Sequence, residues 1–241
     1  MSSGQYREFP VSKRLAPFVE CCWTGDVQPG YPVLPDGCVD IVYSPSIAPG
    51  PQVVGTMTHA RTYEPSGSQR AFGIRMRPGM AYSLLRLPGT ETTDQSIPLE
   101  DVWGPLGRRL NSQMENAASA EECVGFLEAC LTEPGETGIV QRVCAAIVQE
   151  RGQMRVDELA FDAGMSARQL RRVFLEQVGL SPKHFCRVIR FRDSASRLAA
   201  SKRGDWVQIA LDCGYYDQAH FINEFRELSG HTPASFAGLS R

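Results

Sequence analysis

Three arginines share one face of a predicted helix in the C-terminal third of the sequence. Arg168, Arg171 and Arg172 lie opposite Leu170 and Phe174 when residues are placed about 100° apart around a helix axis. An arginine can donate two parallel hydrogen bonds to O6 and N7 of guanine, and its charge also suits phosphate. The residue types and their spacing therefore indicate a surface that binds DNA.

A second predicted helix, about 50 residues further along the chain, carries a milder set of polar side chains. The face opposite the apolar residues Phe221 and Phe225 carries Ala219, Asn223 and Arg226, which we expect to be exposed. Asparagine and glutamine can bond to adenine, and alanine can contact the methyl group of thymine. Over the two helices, the candidate DNA-contacting residues are Ser166, Arg168, Gln169, Arg171, Arg172, Gln218, Ala219, His220, Asn223 and Arg226.

An internal repeat places the two helices in equivalent positions. The segment 159–185 matches the segment 209–236, with the first matched residues 50 positions apart and the later ones 51 apart. The second copy therefore has one extra residue, near Tyr216. Each copy is typical of a short helix, a turn with a left-handed glycine (Gly164 or Gly214) and a longer helix. This is helix-turn-helix geometry, in which the second helix enters the major groove.

The ends of the repeated helices can also be assigned. Ser166 and Asp217 suit the N-cap of each second helix, and Pro182 and Pro233 suit the start of the helix that follows each unit. The predicted units are residues 156–178 and 206–229, with recognition helices 166–177 and 217–228 joined by a helix over 182–200. Phosphate contacts or ion pairs are the two interpretations for the basic residues of and after this joining helix, Arg187, Arg190, Arg192, Arg197, Lys202 and Arg203.

The segment from about 139 to 237 resembles the DNA-binding domain of the AraC/XylS family of transcription regulators. The motif A-x-x-x-G, then F, then G-x-[ST]-P-x-x-[FY] occurs twice at the family's spacing, most clearly as ALDCGYYDQAHFINEFRELSGHTPASF. The resemblance implies an all-α domain of seven helices that binds double-stranded DNA, and its base-contacting positions fall on the helix faces identified above. Because members of the family more often activate than repress, it also implies an activator with RNA polymerase as a partner.

The net charge is divided unevenly along the chain. Residues 1–136 hold 10 Lys and Arg against 16 Asp and Glu, a charge of −6, whereas residues 137–241 hold 15 against 11, a charge of +4. The sign is the one expected if only the C-terminal part contacts phosphates.

The N-terminal part has a different pattern of apolar residues, prolines and glycines. Short β-type runs at 37–44, 51–57 and 71–78 alternate with proline and glycine, and two amphipathic helices are predicted at 99–110 and 119–131. A break at 132–138 separates a sensor or dimerisation domain, residues 1–134, from a DNA-binding domain, residues 135–241. The predicted fold is therefore α+β: a β-rich domain, cupin-like or a partial barrel, with helices, followed by the all-α domain.

The segments LPDGCVDIVYS, GIRMRPG and LEDVWG also resemble the N-terminal domain of an AraC subgroup. The family resemblance implies a sensor of a small-molecule effector. The polar and aromatic residues of this domain give the candidate pocket residues Trp23, Asp36, Asp40, Arg75 and Arg77. Arg75 and Arg77 alternate in a predicted strand and would hold a carboxylate, or pair with the two aspartates as structural ion pairs.

Other functions stay open at this point. Cys21, Cys22 and Cys38 suggest a thiol sensor, although acidic neighbours disfavour a reactive thiolate. A cysteine alkyltransferase that repairs DNA would need a zinc-binding cluster of cysteines, which the spacing does not provide, so no enzyme is expected. A third alternative is an N-terminal domain that only forms a homodimer through the helices at 99–110 and 119–131.

No cofactor or metal site is expected either. His59 is the only histidine before residue 184, too few for a metal-binding cupin. No run of 18 apolar residues occurs, and the first residues lack the apolar segment of a signal peptide. The sequence thus predicts a cytoplasmic protein with no membrane partner.

Overall fold

A computed structural model describes residues 6–27, 29–30, 32–66, 70–117, 119–132, 138–200 and 206–239. Within these residues an antiparallel sheet with helices is followed by a part that is entirely helical, so the predicted α+β class is confirmed. The strands are β1 (Arg7–Phe9), β2 (Val19–Asp26), β3 (Val39–Tyr43), β4 (Gln52–Val54), β5 (Arg70–Met76) and β6 (Ser96–Pro98). The helices are α1 (Ala81–Leu85), α2 (Gly89–Thr92), α3 (Leu99–Trp103), α4 (Pro105–Glu115), α5 (Ala120–Cys130), α6 (Ile139–Gln149), α7 (Val156–Asp162), α8 (Ala167–Val178), α9 (Pro182–Ala200), α10 (Trp206–Asp212), α11 (Gln218–Ser229) and α12 (Pro233–Leu239).

The six described strands pair in the order β1-β2-β5-β3-β4-β6, with every pair antiparallel. The alternation typical of a strand with one buried face is clear in β3, where Val39, Ile41 and Tyr43 are buried and Asp40 is less so. The apolar side of the sheet packs against α4 and α5, which contribute residues such as Leu110 to the same core. This core therefore lies between the sheet and the helices.

Two expectations for the N-terminal part need correction. The predicted helix at 99–110 is two helices, because the backbone turns at Gly104 with φ 55° and Pro105 begins a new helix. Arg77 lies just beyond the end of β5, so it does not share a strand face with Arg75. The second predicted helix, at 119–131, is confirmed as α5.

The C-terminal part has the seven helices α6–α12 in the described residues, as expected, and they share one core. Phe185 and Phe191 on the long helix α9 are fully buried. The ring of Phe185 meets Phe174 of α8 at 5.5 Å, and the ring of Phe191 meets Phe225 of α11 at 5.0 Å. The two helix-turn-helix units are thus packed against a single helix.

The N-terminal part docks on the end of α8. The hydroxyl of Thr56 donates a hydrogen bond to the carbonyl of Val178 (3.0 Å), and the hydroxyl of Thr93 donates to the carbonyl of Gly179 (3.0 Å). Gly89 packs directly on the backbone of Gly179, with no room for a side chain between them. The carbonyls left free at the end of a helix are thereby satisfied by the other part of the chain.

Three further contacts join the two parts. The amide of Ala60 donates to the carbonyl of Leu228 near the end of α11 (2.7 Å). Arg192 of α9 pairs with Glu20 of β2 at 2.7 Å. The side-chain amide of the buried Gln141 on α6 donates to the carbonyl of Gly79 (3.1 Å). The N-terminal part therefore contacts both helix-turn-helix units and the helix that joins them.

The predicted domain boundary between residues 134 and 135 lies outside the described residues. None of the helices in the described part of the chain has the length and apolar character needed to cross a membrane.

Gly89→Ala tests the docking of the two parts. A Cβ at residue 89 would overlap the backbone of Val178 and Gly179, which cannot move aside as a flexible side chain would. We expect a loss of about 1–3 kcal/mol in the free energy of unfolding, measured by urea denaturation. Gly125→Ala in α5 is the matched control, since a Cβ there meets nothing within 4 Å. Equal stability of the two variants would contradict the tight docking.

Candidate DNA-binding interface

The first helix-turn-helix unit is built from α7, a short turn and α8. Gly164 has φ 64°, and the amide of Met165 donates to the carbonyl of Ala160 (2.9 Å), which closes α7. The hydroxyl of Ser166 then accepts from the amide of Gln169 (3.2 Å), and the Gln169 side chain accepts from the amide of Ser166 (3.0 Å). This reciprocal cap fixes the start of α8 and occupies both side chains.

The exposed face of α8 carries the three predicted arginines. Leu170, Phe174 and Val178 are buried, whereas Arg168, Arg171 and Arg172 are exposed. Within the part of the chain that the structure describes, none of the three has an ion-pair or hydrogen-bond partner for its side chain. Their guanidinium groups are therefore available to an external ligand.

The second unit repeats this arrangement in α10 and α11. Gly214 has φ 76°, and the carboxylate of Asp217 accepts from the amide of His220 (2.7 Å), so the predicted cap of α11 is present. Phe221 and Phe225 are buried in the shared core. The residues of the predicted set that are exposed on this helix are Gln218, Ala219, His220, Asn223 and Arg226.

His220 is held more firmly than the other members of this set. Its Nε2 lies 3.7 Å from a carboxylate oxygen of Glu224, its Nδ1 accepts from the amide of Tyr216 (3.4 Å), and its ring meets Tyr215 edge-on at 5.4 Å. Asn223 has no such contacts among the described residues. His220 thus helps to shape the turn, and Asn223 is free for hydrogen bonding.

The arginines of α9 are engaged inside the protein. Arg187 pairs with the buried Glu224 at 2.8 Å and with Glu227 at 2.6 Å, and Arg190 lies 3.5 Å from Glu224 and over the ring of Tyr215. The two remaining α9 arginines also pair, Arg192 with Glu20 and Arg197 with Asp193 at 3.0 Å. Of the two interpretations for these residues, the ion pairs are present. Lys202 and Arg203 lie outside the described residues.

Four of the five predicted pocket residues come together on the sheet. The guanidinium of Arg75 lies 3.4 Å from the carboxylate of Asp36 and 3.3 Å from that of Asp40, and the indole of Trp23 donates to Asp40 (3.4 Å). Arg77 is elsewhere and donates to the carbonyl of Ala16 (3.0 Å). The arrangement favours structural ion pairs, because the polar groups satisfy each other.

Burial sets the electrostatics of this cluster. It raises the pKa of Asp40 to about 6, against the opposing charge of Arg75. The neighbouring carboxylates raise the pKa of Arg75 further, so its charge is permanent. As a site for a ligand the cluster stays a prediction, since an incoming carboxylate would have to displace two acidic side chains from Arg75.

The cysteines of the thiol-sensor alternative are buried. Burial raises the pKa of Cys21 and of Cys22 to about 12 and that of Cys38 well above its usual value. The thiolate is the form that reacts with oxidants and electrophiles. This environment therefore disfavours sensing by these three thiols.

The docking residues were not found by reasoning from the sequence. Thr56, Gly89 and Thr93 carry no charge, belong to no repeat and contact the end of α8 only after the chain has folded. The dipeptide Pro88–Gly89 was the single local signal, and it indicates a turn rather than a contact.

Two family models match the chain. A family described as a helix-turn-helix domain matches residues 159–238, which covers the joining helix, the second unit and all but the first three residues of the first unit. A domain of unknown function, DUF6597, matches residues 7–98, which covers the sheet.

Several curated relatives are similar to part of this chain. The HTH-type transcriptional regulator MtrA of Neisseria gonorrhoeae is 32% identical over 99 residues, which is 41% of this chain and 31% of the relative. The HTH-type transcriptional regulator GbdR of Pseudomonas aeruginosa is 27% identical over 146 residues, 59% of this chain and 31% of the relative. The chain thus covers about a third of the length of these relatives.

One similar solved structure is the C-terminal domain of AraT, a response regulator from Geobacillus stearothermophilus. The alignment covers 43% of this chain and 86% of the AraT chain, with 24% identity and a TM-score of 0.40. The structure of ToxT from Vibrio cholerae is also similar. Its alignment covers 99% of this chain and 95% of the ToxT chain, with 11% identity and a TM-score of 0.45.

The repeat, the cap-and-turn geometry of both units and the matching family agree on one assignment. The helical part of this chain is a double helix-turn-helix domain, similar to that of the AraC/XylS family of DNA-binding transcription regulators.

Proposed function

We propose that this protein is a sequence-specific transcription regulator that reads DNA with the exposed faces of α8 and α11. The observation that carries the proposal is the pair of capped helices on whose outward faces the side chains of Arg172 and Asn223 have no partners within the described residues. Bidentate bonds from arginine favour guanine, and those from asparagine favour adenine. The first half-site should therefore be rich in guanine and the second more mixed.

The joining helix supports reading by one chain of two successive groove segments. Helix α9 has 19 residues, which corresponds to a length of about 28 Å at 1.5 Å per residue. Successive major-groove segments on one DNA face are about 34 Å apart. Because α8 and α11 share a core with α9, their separation is fixed by packing. A monomer would then recognise a non-palindromic site, and a homodimer two copies of it.

We further propose that the N-terminal domain makes DNA binding responsive to a small molecule. The support is that this domain is hydrogen-bonded to the carbonyl ends of both reading helices, at Val178 and Gly179 for α8 and at Leu228 for α11. A ligand that changes this docking would change the position of the reading helices, because the contacts are to backbone atoms. Activation through RNA polymerase, a cytoplasmic location and a non-enzymatic role are proposed from the family resemblance.

Selection of bound sequences from random DNA is the experiment that tests the proposal. We expect the selected DNA to share one site made of two half-sites, of which one is rich in guanine. Transcription from a promoter carrying that site, measured with and without the protein, then separates activation from repression. Failure to enrich any sequence would contradict sequence-specific binding.

Arg172→Ala and Asn223→Ala test the two reading helices separately. Each should weaken binding to the selected site by roughly 1–3 kcal/mol and relax the preference at one base position, because one set of base contacts is lost. Affinity for selected and random DNA is measured by fluorescence anisotropy at fixed salt. Arg108→Ala, which removes the same charge from the exposed surface of α4, is the matched control. An equal loss on both kinds of DNA would argue against base reading.

Arg187→Ala tests the assignment of the α9 arginines to internal ion pairs. Glu224 would keep only Arg190 and His220, which are more distant, so the free energy of unfolding should fall by roughly 2 kcal/mol. The salt dependence of DNA binding should stay unchanged. Lys183→Ala, an exposed residue one turn earlier on α9, should leave stability unaltered. Unchanged stability of Arg187→Ala together with a shallower salt dependence would instead identify Arg187 as a phosphate contact.

A further inference from the structure

A cleft of about 500 Å³ lies between the two domains. Its walls come from Glu20 of β2 and the loop after β5 on one side and from α6, the turn after it and α9 on the other. The volume is within the range of sites for small organic molecules, which run from about 300 to 1,000 Å³. An occupant that fills the cleft would contact both the N-terminal domain and the DNA-binding domain.

Three arginines line this cleft, and two of them lack a carboxylate partner among the described residues. The Nε of Arg77 donates a hydrogen bond to the carbonyl of Ala16. The two terminal nitrogens of Arg77 have no hydrogen-bond partner among the described residues. Arg151 has no side-chain partner there either. Arg192 is paired with Glu20 at 2.7 Å. The cleft therefore holds two guanidinium groups ready to bind an anion.

The acidic residues of the cleft are already neutralised. Glu20 is bound to Arg192, and although burial opposes its charge, Arg192 and Arg75 hold its pKa below the usual value. Asp193 is bound to Arg197 at 3.0 Å. Neither carboxylate is left to pair with Arg77 or Arg151, so the local charge is positive.

Arg151 stands in an unusual backbone conformation. It follows the end of α6 with φ 52°, in the left-handed region where glycine or asparagine is usual. Gly152, the next residue, closes the helix through its amide, which donates to the carbonyl of Ile147 (2.8 Å). An arginine is disfavoured at such a position, and the conformation itself does not need its side chain.

Apolar side chains form part of the lining of the cleft, and this part is called its floor. Met80 comes from the N-terminal domain, Cys144 and Val148 from α6, and Ile189 from α9. Val148 remains 38% exposed, although it is a large apolar side chain on a helix that packs against the core. A floor of this kind suits a compact hydrocarbon group rather than a second charged group.

We propose that this cleft is the effector site of the regulator and that it binds an organic carboxylate with a compact apolar body. The carboxylate is held by Arg77 and Arg151, and the apolar body lies on Val148, Ile189 and Met80. This inference rests on the proposed function and names its ligand class. Because the ligand contacts both domains, its affinity for the docked arrangement differs from its affinity for any other arrangement of the domains. Ligand binding therefore shifts the position of α8 and α11.

Melting shifts of the full chain test the site with defined probes: benzoate, phenylacetate and 4-methylvalerate, each beside its neutral amide, and phenyl phosphate. We expect a saturable rise in melting temperature with at least one carboxylate and none with its amide. No shift with any of the carboxylates would overturn the proposal. Binding of phenyl phosphate alone would overturn the carboxylate assignment.

Arg151→Gly is the decisive variant, since glycine removes the guanidinium and also relieves the left-handed conformation. It should fold at least as stably as the parent and bind the carboxylate roughly tenfold more weakly, the effect expected when one charge-assisted pair is lost. Val148→Glu, at an exposed helix position, should abolish binding by placing a negative charge on the floor. Arg108→Ala, on α4, is the control and should bind like the parent. Undiminished binding by Arg151→Gly would sink the proposal.

DNA binding, measured with and without the probes, distinguishes failure of the effector site from failure of the proposed function. If the protein selects a DNA site but no probe binds, the regulator stands and this effector site fails. If a carboxylate binds and DNA affinity does not change with it, the cleft is a binding site without a regulatory role, and the effector assignment is overturned. If no DNA sequence is selected at all, the proposed function fails whatever the probes do.

Discussion

Burial of Phe185 and Phe191 on α9 between the two helix-turn-helix units is the interaction on which the C-terminal domain depends. Each ring contacts a phenylalanine of a different helix, Phe174 in α8 and Phe225 in α11. Close-packed aromatic side chains allow little movement. The long helix therefore acts as a fixed spacer, and both units present their exposed faces at a set distance.

The docking of the N-terminal domain extends the same constraint. A helix ends with carbonyls that have no partner within it, and here Thr56 and Thr93 supply hydroxyls to those at the end of α8. Gly89 permits this because the absence of a side chain lets two backbones touch. Since these contacts are made to backbone atoms, they couple the position of the N-terminal domain to that of α8.

Arginine serves three purposes in this chain. On α8 the arginines are exposed and have no partners among the described residues, as binding of an external anion requires. On α9 they neutralise carboxylates, among them the buried Glu224, whose charge would otherwise be costly to bury. In the cleft, Arg77 and Arg151 are cations beside an apolar floor. The residue type is the same, and only the neighbours in space distinguish the three.

Local patterns in the sequence were enough for the helix-turn-helix units, because their determinants are close together along the chain. The 50- or 51-residue repeat, the caps Ser166 and Asp217 and the apolar spacing of α8 and α11 all describe helix ends and faces, and the structure has them as expected. Tertiary structure decided the rest: the pairing of Arg75 with Asp36 and Asp40, and the cleft between the domains. The pairing and the cleft depend on residues far apart in sequence, whose contacts are set by packing of the whole chain and not by any local preference.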